Sequence, residues 1–378
     1  MPSKLPHTEI SIFAKMSALA AKHNAVNLSQ GFPDFPVDTE LVELVSQAMR
    51  DGHNQYAPLA GIFSLRERIC AMVKDLHGKS YDPAKEVTLT AGATEALFCA
   101  ITAFVHPGDE VVVIKPCYDT YEPTVILQGA KPVPVQLEAP YNAINWEKVN
   151  EAVTAKTRMI IINTPHNPSG MMFSKEDMLS LQKIVSGTNI LILSDEVYEH
   201  IIFDGKSHIS VSQFEELAKR AIIVSSFGKT FHTTGWKMGY CLAPADLMAE
   251  FHKIHQNVVF CVHHPTQVAL TKYLENESKY QDLGAFYQQK RDKFLDLIKD
   301  SRFTFKPSAG TYFQLLDYSQ ITTENDVVFA EELITENGIA SIPVSVFNEG
   351  GKDDKLLRFC FAKSDETLEK AAAILNAI

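Results

Sequence analysis

The chain has 378 residues, of which 46% are hydrophobic, 21% charged and 10% aromatic. That mix excludes extensive disorder and leaves room for about two domains at roughly 150 residues each. A formal net charge of -11 excludes a general nucleic-acid or anionic-membrane surface, because such surfaces need excess Lys and Arg to displace counterions.

In chain order, an N-terminal helical stretch leads into NLSQGFPDFP (27–36), whose glycine and prolines force an irregular segment. TELVELVSQAMRDG has helical spacing and stops at Gly52. From there short β-branched runs alternate with amphipathic stretches: EVTLT (86–90), EVVVIKP (110–116), TRMIIINTP, NILILSDE and AIIVSSF. Buried Ile, Val and Leu runs separated by helices predict an α/β fold, with a mostly parallel sheet sandwiched by helices. A long helical region follows over PTQVALTKYLENESKYQDLGAFYQQKRDKFLDLIKD, and TYFQLLD, GIASIPVS and KLLRFCFA read as strands of a smaller α+β unit. The division expected is an arm at 1–40 joining the small unit, a large domain at 41–280 and a small domain at 281–378.

No internal repeat or low-complexity block interrupts this order. The six cysteines form no CxxC pair and sit largely in apolar runs, as reduced core thiols of a cytosolic protein do. The N-terminal stretch lacks a continuous apolar segment, and no window reaches the ~18 apolar residues of a membrane span. A cytoplasmic protein without membrane partners is the expectation.

Polar residues cluster where the strands end, which is where open α/β sheets bind ligands. EVTLTAGATEAL is a strand, a turn at Ala91, Gly92, Ala93 and Thr94, then a helix whose N-terminus can hold a phosphate. The same glycine also suits a plain turn. NTPHNPSG (163–170) ends a strand in two prolines and two asparagines. Asn167 could present its amide to a ligand oxygen, or the turn could have no function. In NILILSDEVYEHIIF, Asp195 ends a strand with Tyr198 one turn into what resembles a helix start. Asp195 there is either an N-cap or a carboxylate for a protonated ring nitrogen.

SSFGKTFHTTGWKMG (225–239) places Lys229 after a small turn among Ser225, Ser226, Thr230, Thr233 and Thr234, with Lys237 beyond. A desolvated amine near other cations has a lowered pKa and attacks carbonyls. Lys229 is therefore read as a covalent anchor for an aldehyde cofactor, with the hydroxyls and Lys237 gripping a phosphate.

These motifs resemble the class I and II aminotransferases of fold type I, which use pyridoxal 5'-phosphate (PLP). The likeness runs from QGFPDFP to LLRFCFA, and NQYAPLAG, GATEAL, NTPHNPSG, SDEVYEHIIF, SSFGKTFHTTGWKMGY and HHPTQ are similar to the methionine and kynurenine/glutamine aminotransferase group. It implies a large domain with a mixed, mostly parallel sheet and a smaller α+β domain. It also implies that Lys229 bonds the cofactor aldehyde and then moves the substrate α-proton, and that Asp195 keeps the pyridine nitrogen protonated. Tyr198 and Asn167 would meet the ring oxygen and Tyr118 would stack on the ring. Ser226, Lys237, Thr94 and the backbone of Gly92 and Ala93 would hold the phosphate. Tyr56 would reach the phosphate of the neighbouring subunit, which requires a homodimer. Arg358 would take the substrate α-carboxylate as a bidentate fork, with Asn167 and the backbone at Gly31 completing that pocket. Lys237 is arginine in many relatives, so the phosphate contact here is a point charge instead of a fork.

No second arginine for a dicarboxylate is evident, and aromatics expected near the cleft (Phe13, Phe32, Phe35, Tyr56, Tyr118, Phe260) suit a large uncharged amino acid such as methionine, an aromatic residue, glutamine or kynurenine. The partner substrate would be a 2-keto acid. Two alternatives share the motifs: a PLP-dependent cysteine-S-conjugate or cystathionine β-lyase, and a regulatory PLP-binding protein. No metal is expected. His263 and His264, if extended, would point to opposite faces, and His166 and His232 either line the cleft or are satisfied structural histidines.

Overall fold

Each apolar run that ends in a polar cluster becomes a strand in the computed structural model, which describes residues 3–6, 8, 10–141 and 143–378. The strands are β1 (Val26–Asn27), β2 (Val87–Thr90), β3 (Glu110–Lys115), β4 (Lys131–Gln136), β5 (Thr157–Asn163), β6 (Leu191–Asp195), β7 (Ala221–Ser226), β8 (Gly239–Leu242), β9 (Phe313–Asp317), β10 (Ile339–Ala340), β11 (Ile342–Pro343) and β12 (Leu356–Cys360). One seven-stranded sheet has the order β2-β8-β7-β6-β5-β3-β4. The pairs from β7 through β4 are parallel, whereas β8 runs antiparallel to both β2 and β7.

Side-chain alternation assigns each central strand to two cores. Val112, Ile160, Ile192 and Ile223 pack on one face, and Val113, Ile161, Leu193, Ile222 and Val224 on the other. Both faces are covered, so β6 and β7 are buried along their whole length. That double burial explains why they read as unbroken apolar runs instead of alternating ones. A separate core gathers Met16, Ala20 and Leu28 with residues from Leu283 to Leu375, around the three-stranded antiparallel sheet β11-β12-β9.

Four local differences from the sequence expectation have physical reasons. KPVPVQ forms β4 despite Pro132 and Pro134, because β4 is an edge strand paired only with β3 and an edge tolerates missing donors. GYCL forms β8 immediately after Lys237. The long helical region breaks into His264–Tyr273, Ser278–Gln281 and Leu283–Leu297, because the Asn276 side chain accepts from both the Ser278 hydroxyl (2.8 Å) and the Ser278 N–H (3.2 Å), competing with helix continuation. No helix starts at Tyr198: Asp195 Oδ1 accepts the Val197 N–H at 3.3 Å, and Glu199 N–H bonds the Glu196 carbonyl at 2.9 Å, so the chain turns.

That turn draws Glu199 into the interior, where it accepts from the Tyr240 hydroxyl at 2.7 Å and faces His77 Nε2 at 3.1 Å. Burial opposes its ionisation, but His200, His77 and His208 outweigh burial and hold its pKa well below the usual carboxylate range. A depressed carboxylate stabilises the fold above its unfolded pKa, here 4.5, and loses that contribution as pH falls through the folded value. Urea denaturation of the wild type is expected to show stability falling as pH drops below that point. Glu199→Gln should flatten this slope while lowering stability at neutral pH by about 1–3 kcal/mol.

Candidate active site

Strand ends β5, β6 and β7 and the turn after β2 meet at one edge of the large sheet, where they enclose a cavity of about 690 Å³ counting its open mouth. Its lining includes Gly92, Ala93, Thr94, Tyr118, Asn167, Asp195, Tyr198, Ser226, Lys229 and Lys237. Gly92 opens the 13-residue helix Gly92–Phe104 with a φ of 75°, and a Cβ there would lie 3.3 Å from Lys237 Nζ. An ammonium thus stands beside a helix N-terminus, with the Ser226 and Thr94 side chains on the same wall. This is an anion cradle built from a dipole, a cation and hydroxyls.

Lys229 follows β7 in the one-turn helix Phe227–Thr230. Its Nζ donates to the Gly31 carbonyl at 3.2 Å and lies 5.7 and 5.6 Å from the ring centroids of Tyr198 and Tyr312. No carboxylate pairs with it among the described residues. Burial pushes its pKa down from 10.5 to about 8, and the nearby cations Arg358 and Lys237 push the same way. Asp195 closes the opposite wall. Burial raises its pKa to about 6 against the hydrogen bond donated by Tyr121, whose hydroxyl sits 2.6 Å from Oδ2. At neutral pH the group is therefore mainly an anion.

Asn163, the last residue of β5, holds two elements together: its Oδ1 accepts the Asn167 N–H at 2.8 Å and its Nδ2 donates to the Asp195 carbonyl at 2.9 Å. Asn167 Oδ1 in turn accepts from Arg358 Nη1 at 2.8 Å. Arg358, in β12 of the small sheet, is only 1% exposed. Its Nη2 donates to the Ser29 carbonyl at 3.2 Å, Phe313 and Phe13 lie 3.9 and 5.0 Å from its carbon, and its Nε has no partner. A buried guanidinium without a carboxylate partner among the described residues has unused capacity for an incoming anion.

Other expected residues stand elsewhere. Tyr56 is 83% exposed and rests edge-on against Phe260 with centroids 5.5 Å apart, outside the cavity of its own chain. Gly31 presents its carbonyl to Lys229 and Tyr312, and a Cβ there would strike Phe313 at 2.8 Å. Phe35 packs on His232 and Phe32 under Lys363, so neither lines the cavity. His166 bonds Ser169 and the Pro116 carbonyl, and burial lowers its pKa to about 4, which is the behaviour of a structural histidine. His232 is likewise pushed to about 4 by burial. His263 and His264 do not lie in an extended segment: they begin the helix His264–Tyr273, where His263 bonds Thr266 and His264 bonds the Gln55 carbonyl. Tyr121, Asn163 and Tyr312 escaped the sequence analysis, although Tyr121 stands only three places after Tyr118 in KPCYDTYEP.

The family model for class I and II aminotransferases matches residues 23–375. The chain belongs to that family. The methionine aminotransferase of Escherichia coli is 45% identical to this aminotransferase over 377 residues, covering 100% of this chain and 98% of that protein. The kynurenine–oxoglutarate transaminase of Dictyostelium discoideum is 33% identical, covering 96% of this chain and 92% of its own. A crystal structure from Escherichia coli, described as identifying a methionine aminotransferase function, superposes with a TM-score of 0.98 at 45% identity over 100% of this chain and 99% of that one. The fold is accordingly that of the fold type I aminotransferases, and the activity is transfer of an amino group between amino and keto acids.

Enzymes of this family depend on PLP, and the residues here fit it. The cradle at Gly92 has room because a Cβ would crowd Lys237. Asp195 offers a buried carboxylate, and the amine of Lys229 lies in the same cavity without an acid partner among the described residues.

Proposed function

We propose that this aminotransferase uses PLP to move the amino group of a large, uncharged amino acid, methionine foremost, to a 2-keto acid in alternating half-reactions. The carrying observation is the amine of Lys229, set in one cavity with the Gly92–Lys237 cradle and Asp195. The similarity to methionine and kynurenine aminotransferases supports the substrate class; of the aromatics expected near the cleft, Tyr118 lines the cavity, whereas Phe13 packs with Phe313 on the Arg358 guanidinium.

When bound, PLP supplies an aldehyde conjugated to an electron-withdrawing ring. Gly92, Ala93, Thr94, Ser226 and Lys237 would hold its phosphate, Asp195 its ring nitrogen, Asn167 and Tyr198 its ring oxygen, and Tyr118 its ring face. Lys229 Nζ would be the group that holds the aldehyde carbon, and as a free amine in the same cavity it would take the proton from the substrate α-carbon. A pKa near 8 leaves a useful neutral fraction of that base at working pH. Arg358 orients the substrate by its α-carboxylate, with Asn167 beside it. Because Arg358 belongs to the small sheet, the 281–378 unit and the N-terminal arm are the part that would close on substrate. No helix among the described residues is long and apolar enough to cross a membrane, and the cytoplasm is the compartment we assign.

The direct test is the visible spectrum of the PLP-loaded protein before and after L-methionine, with no keto acid present. Loss of the cofactor's yellow band with one equivalent of 2-keto-4-methylthiobutyrate per site supports the proposal. Pyruvate and a thiol released from a cysteine conjugate, with no response to methionine, would favour the lyase instead.

The exposed Tyr56 belongs, in this proposal, to the neighbour's phosphate site in a homodimer. Tyr56→Ala and Lys229→Ala proteins, each impaired alone, should regain about a quarter of wild-type activity when equal amounts are mixed and re-equilibrated. Random pairing makes half the dimers mixed, and each mixed dimer has one intact site of two. No gain on mixing would place Tyr56 in its own chain's site.

A further inference from the structure

We infer that Glu95 and His255 form a positioning pair that sets the charge and shape of the phosphate cradle, an inference that rests on the PLP assignment made above. Glu95 lies in the first turn of the Gly92–Phe104 helix and is 9% exposed. Its Oε2 accepts the N–H of Ala91, the residue just ahead of Gly92, at 3.1 Å. Its Oε1 is met by two groups: the Cys99 thiol at 2.8 Å and His255 Nδ1 at 2.8 Å.

His255 is fully buried in the helix Ala245–Val258, and its Nε2 faces the Leu59 carbonyl at 3.2 Å. Both ring nitrogens therefore have an oxygen partner, which fixes the ring between Glu95 and the Leu59 carbonyl. Two residues past Leu59, Gly61 abuts Leu89 so closely that a Cβ would sit 2.5 Å away, and Ala60 accepts the Leu89 N–H at 3.0 Å. The chain of contacts thus returns to β2, which ends at the cradle. Glu95, Cys99 and His255 lie close enough to suggest a metal group, but each ligand atom already has a hydrogen-bond partner within the cluster, and no ion is required.

The consequence is electrostatic. A carboxylate in the first turn of a helix would oppose an anion held at that helix's N-terminus, because a buried site screens like charges poorly. His255 Nδ1 and the Cys99 thiol disperse that charge through their contacts with Oε1 while Glu95 keeps the Ala91 N–H fixed, which leaves the following N–H groups free for a phosphate. The pair acts on the phosphate alone, because the ring and the aldehyde are met by Asp195 and Lys229 on the other walls.

Titrating the full-length, cofactor-stripped protein with PLP and, separately, with pyridoxal, which lacks the phosphate, tests this by absorbance. His255→Phe, which stacks as well as His255 does on Phe251, should weaken PLP by about tenfold and pyridoxal by less than about twofold. Adding Glu95→Gln to that variant should restore most of the loss, since the amide oxygen still accepts from Ala91 and the charge is gone. Equal weakening of both aldehydes, no weakening, or no rescue overturns the inference. If His255→Phe does not fold, Glu95→Ala against Glu95→Gln decides: selective loss of PLP in the first and near wild-type binding in the second support it, and any other pattern overturns it. A wild type that binds neither aldehyde sinks the cofactor assignment underneath, which is a separate failure.

Discussion

Lys229→Ala is expected to lower kcat for methionine transamination by roughly 10⁴-fold or more, because in the proposed mechanism one side chain would serve as both covalent anchor and proton carrier. PLP should still bind through the Gly92–Lys237 cradle and Asp195, so the variant is predicted to retain cofactor on gel filtration while losing the yellow band that needs the amine. Added methylamine should restore a small part of the rate, since the substitution leaves a hole where a free amine can sit. The pH dependence carries a sign. The nucleophile is the neutral amine, so the rate at which cofactor-free protein captures PLP should rise with pH and level off just above 8 instead of near the ordinary 10.5. A rate still climbing at pH 10 would show that burial and Arg358 do not depress this lysine. Full activity in Lys229→Ala would remove it from the chemistry altogether.

Arg358→Leu carries the second large effect, a fall in kcat/KM for methionine of about 10²- to 10³-fold. That factor corresponds to about 2.7–4.1 kcal/mol at 1.36 kcal/mol per tenfold, near the low end of the roughly 3–5 kcal/mol lost when one partner of a buried charge pair is removed. Arg358→Lys should recover little of it, because an ammonium lacks the planar fork that matches a carboxylate. The same substitutions separate function from folding. Arg358 is buried without an acid partner among the described residues, with Nε unbonded, and so contributes little to the stability of the empty protein. Thermal unfolding of cofactor-free Arg358→Leu is therefore expected at or above the wild-type temperature. A lowered melting temperature together with an unchanged kcat/KM would make Arg358 a structural residue.

The sheet and its ligand edge were legible because buried parallel strands leave apolar runs, and the polar residues that end them are local in sequence. Gly92, Asn167, Asp195, Ser226 and Lys229 each sit at or just past such an end. What escaped depends on partners far along the chain. Tyr121 reaches Asp195 across 74 positions, and Tyr312 reaches the Gly31 carbonyl across 281, distances that no local pattern encodes; Arg358 was legible only through the family resemblance. The edge strand β4 was hidden by its prolines, and β8 by its short length of four residues. Tyr56 is a different case: it is 83% exposed and meets Phe260 edge-on, so its proposed role in a neighbour's site comes from the resemblance and is tested by the mixing experiment.

Lys229 hangs from the large sheet, whereas Arg358 hangs from the small one, whose strands pack partly in a core of their own and partly, through Leu315 and Leu356, against a core of the large sheet. In the proposed mechanism, reaction chemistry and substrate grip would therefore sit on separate strands. Substitutions at Phe13 and Phe347, which meet the Arg358 guanidinium, are expected to retune which amino acid is accepted while leaving β6 and β7 in place. Such modularity lets one catalytic apparatus diversify across many nitrogen donors by drift in a region it does not depend on.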